Sequence, residues 1–137
     1  MPVASEQGAV LAANAAFYGA MAARDYAAMA ALWSHEAPVA FAHPGWPPLT
    51  GRAAVMESWA GILRNPRAPK IHCLEPQAIL HGRSALVLCF EVIEQDVLLA
   101  SNLFVKEEAG WRLVHHHAGP TIARPEMARE SPSKRLH

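Results

Sequence analysis

The sequence is short of net charge, of cysteine and of long apolar runs, and each shortage excludes a class of protein. Its 12 basic and 12 acidic side chains cancel, so the chain lacks the electrostatic footprint that holds a protein on nucleic acid. The one basic pair, Lys134-Arg135, stands close to the end of the sequence. Cys73 and Cys89 are its 2 cysteines, too few for a disulfide framework, and point to free thiols in a reducing compartment. No apolar run approaches the roughly 20 residues that cross a bilayer, and no basic stretch followed by an apolar run opens the sequence, as an export signal would. The expectation is a cytoplasmic protein with neither membrane nor nucleic acid as a partner.

What the chain does have is apolar bulk. Of its 137 residues 52% are hydrophobic, enough for one domain with a real core. Val10, Asn14, Phe17 and Met21 recur at helical spacing within 6–24 and predict a first helix. Asp25 is placed to cap a second over 26–33, and Thr50 a third over 52–63, ended by Asn65-Pro66. A strand over 39–42 runs into a turn rich in proline and glycine, His43 to Pro48. After Pro69 the pattern changes to strands over 71–80, 85–94, 97–106 and 111–117, separated by turns short enough for an antiparallel meander.

Helices first and strands after is the α+β pattern, here read as one domain over 1–122 with a polar tail, 123–137, expected to be mobile. The third long strand carries Leu98, Ala100 and Phe104 on one face and Val97, Leu99, Leu103 and Val105 on the other. An antiparallel sheet with one wet face alternates apolar and polar. Two apolar faces predict that one covers the helices and the other meets a second copy, as a homodimer.

Several local patterns together resemble the nuclear transport factor 2-like superfamily, SnoaL-like branch. They are Phe17-Tyr18 followed by Asp25, Ala28-Met29 and Leu32-Trp33; His43-Pro44-Gly45-Trp46 followed by Gly51-Arg52; and Gly110-Trp111-Arg112-Leu113-Val114-His115-His116-His117. The resemblance implies N-terminal helices packed on a strongly curved antiparallel sheet, forming a cone around an apolar pocket. Its ketosteroid isomerase branch implies site positions as well. The catalytic base, which ends the first strand before a proline, falls on His43. The hydrogen-bond donor to the oxyanion, eight residues before Gly110, falls on Asn102. The oxyanion tyrosine falls on Phe17, with Tyr18 adjacent. All three chemistries differ from that enzyme, which argues against steroid isomerisation itself.

The remaining polar residues are weighed by side-chain chemistry. His43 carries an imidazole with two distinct nitrogens, which suits general acid or base work, or bonds the backbone of its own turn. Asn102, among apolar neighbours, needs partners that a ligand or the core can supply. Strand alternation puts His115 and His117 on one face with Trp111 and Leu113, and His116 on the other with Val114. His43, His115 and His117 form the only candidate metal set, but no carboxylate or cysteine stands near, so no metal and no cofactor is expected. Phe17, Tyr18, Trp33, Trp46, Trp59 and Phe104 are candidate walls for a flat ligand, with Trp46 at the rim. Glu91 and Glu94 read as solvated or interface charges, and both cysteines as small hydrophobes. The favoured reading is cofactor-free proton transfer on a small apolar or carbonyl-containing molecule, an isomerisation, dehydration or cyclisation. His43 moves the proton, Asn102 with Tyr18 or His117 steadies the oxyanion, and His115 joins the pocket lining. A non-catalytic ligand-binding or dimerisation module is the alternative, and a histidine metal site the third.

Overall fold

The computed structural model describes residues 5–125. Helix α1 (Glu6–Ala23) starts where the Ser5 hydroxyl accepts the Gly8 N–H, and ends at Arg24, whose φ of 55° turns the chain out of the helix. Asp25 caps α2 (Tyr26–Leu32) as its side-chain chemistry predicts. The guanidinium of Arg52 donates to the carbonyls of Ala30, Trp33 and Ser34, so the start of α3 (Arg52–Arg64) ties off the open end of α2. Thr50 is not the cap of α3. It lies in a two-residue strand, β2 (Leu49–Thr50), and the cap position is Gly51, whose φ of 88° suits glycine and which offers no side-chain acceptor.

Strand β1 (Ala40–Ala42) pairs antiparallel with β2 and parallel with the last strand. The long strands β3 (His72–His81), β4 (Ser84–Ile93), β5 (Asp96–Glu107) and β6 (Gly110–Pro120) form the expected meander, and the sheet order is β2-β1-β6-β5-β4-β3. The fold is therefore the expected α+β arrangement of helices on one sheet, and the sheet is open and, through β1, mixed rather than wholly antiparallel. The long excursion through α3 and the meander lets β1 lie alongside β6 in the same direction, which a hairpin cannot do.

Alternation sets the two faces. Ala85, Val87, Cys89 and Glu91 of β4 and Ala100, Asn102 and Phe104 of β5 are buried on the inner face. Against them lie Phe17 from α1, Trp33 after α2 and Trp59 from α3, which are nearly or fully buried. Phe41 stacks on Trp59 with ring centroids 5.0 Å apart, and Phe17 meets Trp59 edge-on at 5.5 Å. Rings of this size contribute about 1.5–3 kcal/mol each by leaving water.

One residue breaks the alternation. Phe104 pairs with Leu113 but Leu103 pairs with His115, so Val114 is an extra residue, a β-bulge. Past it the parity of β6 inverts. Leu113 and His116 face inward, while His115 and His117 pair with the outward Leu103 and Ser101. The expectation that His115 and His117 share a face with Trp111 and Leu113 is thereby corrected.

The expected tail lies largely outside the described residues. Its first part is held: the Arg124 guanidinium donates to the carbonyl of Gln95, and Pro125 is buried.

Candidate functional site

Between the helices and the inner face of the sheet lies a cavity of about 230 Å³. Phe41, Trp59, Ile62, Leu63 and Leu98 make most of its wall apolar. Two polar side chains reach it from the sheet, Glu91 of β4 and His116 of β6. Each is almost completely buried, at 2% and 6% exposure. The Nε2 of His116 stands 3.6 Å from the Oε2 of Glu91.

A hydrogen-bond network behind the wall holds these two groups and sets the tautomer of His116. Asn102 donates its amide to the Oδ1 of Asn14 at 2.8 Å and to the Tyr18 hydroxyl at 3.2 Å. That leaves the Asn102 carbonyl oxygen as an acceptor, 2.5 Å from the Nδ1 of His116. His116 therefore carries its proton on Nδ1 and turns the lone pair of Nε2 toward Glu91. Tyr18 donates to the Oε2 of Glu91 at 2.6 Å, and the Cys89 sulfur lies 3.3 Å from the same hydroxyl. Asn14 completes the chain by donating to the Cys73 sulfur at 3.7 Å.

The proximity of Glu91 and His116 would suggest an ion pair, but burial opposes it. Desolvation, with His115, His117 and His43 adding positive charge, pushes His116 down to about 3. Desolvation also raises Glu91 above the usual carboxylate range, against the hydrogen bond from Tyr18 that lowers it. Burial, then the neighbouring Glu91 and Cys89, drives the Tyr18 hydroxyl far above its ordinary range. The pair is thus a neutral imidazole beside a carboxyl that keeps its proton more readily than an exposed one. The wall of this cavity has a carboxyl and the bare Nε2 of an imidazole side by side.

Of the residues singled out by sequence, His43 and Trp59 line this cavity. His43 stands at the end of β1, with its ring 5.5 Å from those of Phe41 and Trp46. Asn102 is fully buried behind the wall and does not line the cavity, so it holds His116 rather than a ligand. Phe17 and Tyr18 occupy the same layer, and Trp33 and Phe104 are wholly in the core. Trp46 is 62% exposed and lines a shallower groove beside α3, shared with His43. His115 gives its Nδ1 to a contact with the Ala40 carbonyl at 3.0 Å, and His117 is exposed. Among the described residues no group of three histidines, cysteines or acids could hold a metal ion.

Glu91 and His116 were not expected at the site. Glu91 is not a solvated charge: it shares the inward parity of Val87 and Cys89. That parity is a signal in the sequence, but the outward Leu86, Leu88 and Phe90 are equally apolar, so alternation alone does not say which face is wet. His116 was hidden by the bulge.

The SnoaL-like domain family matches residues 10–123. The chain belongs to that family, and its fold is NTF2-like. Among solved structures it resembles a candidate dehydratase of the NTF2-like family from Streptomyces avermitilis, at 32% identity and a TM-score of 0.75, covering 84% of this chain and 95% of that one. It also resembles a candidate calcium/calmodulin-dependent protein kinase type II association domain from Thiobacillus denitrificans, at 30% identity and a TM-score of 0.71, covering 81% and 94%. The CaMKII hub of S. rosetta shares the fold, at 23% identity and a TM-score of 0.73, covering 88% and 100%. No curated protein matches the chain. No helix among the described residues is long and apolar enough to cross a membrane.

Proposed function

We propose that this chain is a cofactor-free proton-transfer enzyme acting on a small carbonyl compound, with dehydration or isomerisation as its reaction. One observation carries the reading: a carboxyl and an imidazole, both almost fully buried and 3.6 Å apart, face a cavity that is otherwise mainly apolar. Placing two polar groups there is costly unless they are used or fully satisfied.

The chemistry is divided between the mouth and the wall. His43 takes the proton from the carbon next to the carbonyl. Glu91, whose carboxyl burial shifts toward its protonated form, donates a hydrogen bond to the oxygen where negative charge develops. In a dehydration the proton of Glu91 leaves with the β-hydroxyl as water, the carbon–carbon double bond forms, and the proton on His43 returns to Glu91. In an isomerisation His43 gives its proton back at a different carbon. Asn102 and Tyr18 act as positioning residues, because they hold the imidazole and the carboxyl from behind the wall, while His116 faces the substrate beside Glu91. The likeness to a candidate dehydratase at 32% identity supports the reaction class.

The test is deuterium uptake at the α-carbon of a panel of β-hydroxy and unsaturated carbonyl compounds, followed by NMR in heavy water. Glu91→Gln and His43→Ala should each slow exchange by roughly 10²-fold or more, the usual scale for a lost acid or base, with circular dichroism unchanged. Exchange that both variants leave intact would discard the reading.

A second reading, an assembly or ligand-binding module, is favoured by the outer face. Ile79, Leu86 and Leu103 form an apolar row across three strands there, with Leu99 43% exposed beside it. Such a row fits a homodimer through the sheet, and the likeness to an association domain at 30% identity supports it.

A further inference from the structure

The apolar cavity has an electrostatically one-sided mouth. Of the described residues lining it, Arg24 and Lys70 are cationic, and the acid is Glu91 on the wall. Burial shifts Glu91 toward its neutral form, and the cations at the mouth are Arg24 and Lys70.

The placement of Lys70 follows from the fold. Arg24, at the left-handed end of α1, sends its guanidinium to the carbonyls of Asn65 and Pro66. Those bonds fasten the loop between α3 and β3 to the helical layer, and the same loop carries Ala68, Pro69 and Lys70 along the cavity edge. Lys70 is exposed and makes no hydrogen bond or ion pair with the described residues. Deeper in, the Nε1 of Trp59 is buried and has no partner among the described residues, although its ring borders the cavity. The site thus offers an unpaired cation outside, an unpaired N–H donor in its wall, and apolar surface between them.

We propose that the cavity selects an organic monoanion, a small carboxylic acid with a flat apolar body. Its carboxylate pairs with Lys70 at the mouth, and its body lies against Trp59 and Phe41. A volume of about 230 Å³ has room for about ten non-hydrogen atoms, each taking somewhat less than the roughly 30 Å³ of a liquid water. This deepens the proton-transfer reading by naming the substrate class, a carbonyl compound that also carries a carboxylate. It rests on that reading only for the chemistry and not for the binding.

Phenylacetate and phenylacetamide are the probes, nearly identical in shape and differing in charge. Calorimetric titration of the full chain should give about tenfold tighter binding of the acid, the gain of one partly exposed charge-assisted contact. The preference should shrink with added salt and vanish in Lys70→Ala, while Lys70→Arg keeps it. Binding of the amide should be unchanged in Lys70→Ala, which separates a lost cation from a damaged fold. Equal binding of acid and amide, a preference that survives Lys70→Ala, or no binding of either at millimolar concentration would overturn the inference. Glu91→Gln should leave the acid preference in place. Selective binding in that variant, with no proton exchange in any variant, would sink the catalytic reading and leave this one standing.

Discussion

The two faces of the sheet invert the usual expectation of polar outside and apolar inside. On the inner face Glu91, Asn102 and His116 are buried and tied to Asn14 and Tyr18 from α1. On the outer face Ile79 and Leu99 are substantially exposed, and Leu86 and Leu103 are only half-buried. Hydrophobicity therefore does not separate core from surface here. The inner polar groups are tolerated because nearly every donor meets an acceptor, and a fully satisfied network costs far less than a half-satisfied one. The outer apolar groups have no such internal partner among the described residues. The inner network leaves only a few polar atoms open among the described residues, the Nε2 of His116 and the Nε1 of Trp59 among them, whereas the outer row is open along its length.

The largest effect should come from breaking the inner network at its hub. Asn102→Leu keeps the apolar volume but strands the Nδ1–H of His116 and the Oδ1 of Asn14. Leaving two buried groups unpaired should cost about 2–4 kcal/mol in urea unfolding. A loss below about 0.5 kcal/mol would mean that water or rotation replaces the amide, and the contrast between the faces would weaken.

The protonation of the same network gives a second test. His116 titrates at about 3 in the folded chain, against 6.5 for the free side chain. Between those values the unfolded chain binds more protons, so stability falls as pH falls, by at most about 1.4 kcal/mol per pH unit. Glu91 is raised from 4.5 and acts in the opposite sense above that value: its folded form holds a proton that the unfolded chain gives up, so its contribution falls as pH rises. Above pH 4.5 the two contributions therefore oppose each other, and below it the histidine's alone remains and falls with pH. Glu91→Gln should unmask the histidine slope from pH 6.5 downward. Urea midpoints taken across this range distinguish the cases, and parallel profiles for the two chains would mean that folding does not raise the Glu91 carboxyl.

The smallest effect on folding should come from the outer face. Leu103→Glu should change the stability of an isolated chain by about 0.5 kcal/mol, the scale of a surface substitution. Yet sedimentation should show a dimer turned into a monomer. A wild-type chain that sediments as a monomer at micromolar concentration would leave the outer face as ordinary surface.

How far the sequence could be read follows the same division. Helix ends, the order of elements and the meander were legible, because Asp25, Asn65-Pro66 and the short turns act through local chemistry. The parallel pairing of β1 with β6 was not, since it joins residues some 75 positions apart, as Ala40 and His115. His43 could be placed at the end of its strand from the proline that follows it. Glu91 could not be placed, because both parities of β4 are apolar and the choice between them is made by the helices.

The bulge at Val114 has one more consequence, for insertions and deletions. Strand parity works like a two-position switch, and each residue gained or lost before a site throws it. At most positions that exchanges an inward side chain for an unrelated outward one. Here the switched stretch is His115-His116-His117. Pairing the intact strand without the bulge would bring His115 and His117 inward in place of His116, whereas deleting Val114 would leave His116 inward, because Leu113 stays opposite Phe104 and His115 opposite Leu103. An imidazole faces the interior in either setting. The histidine triplet acts as redundancy against a slipped register, keeping the chemistry available at the wall constant while the backbone that delivers it is free to vary.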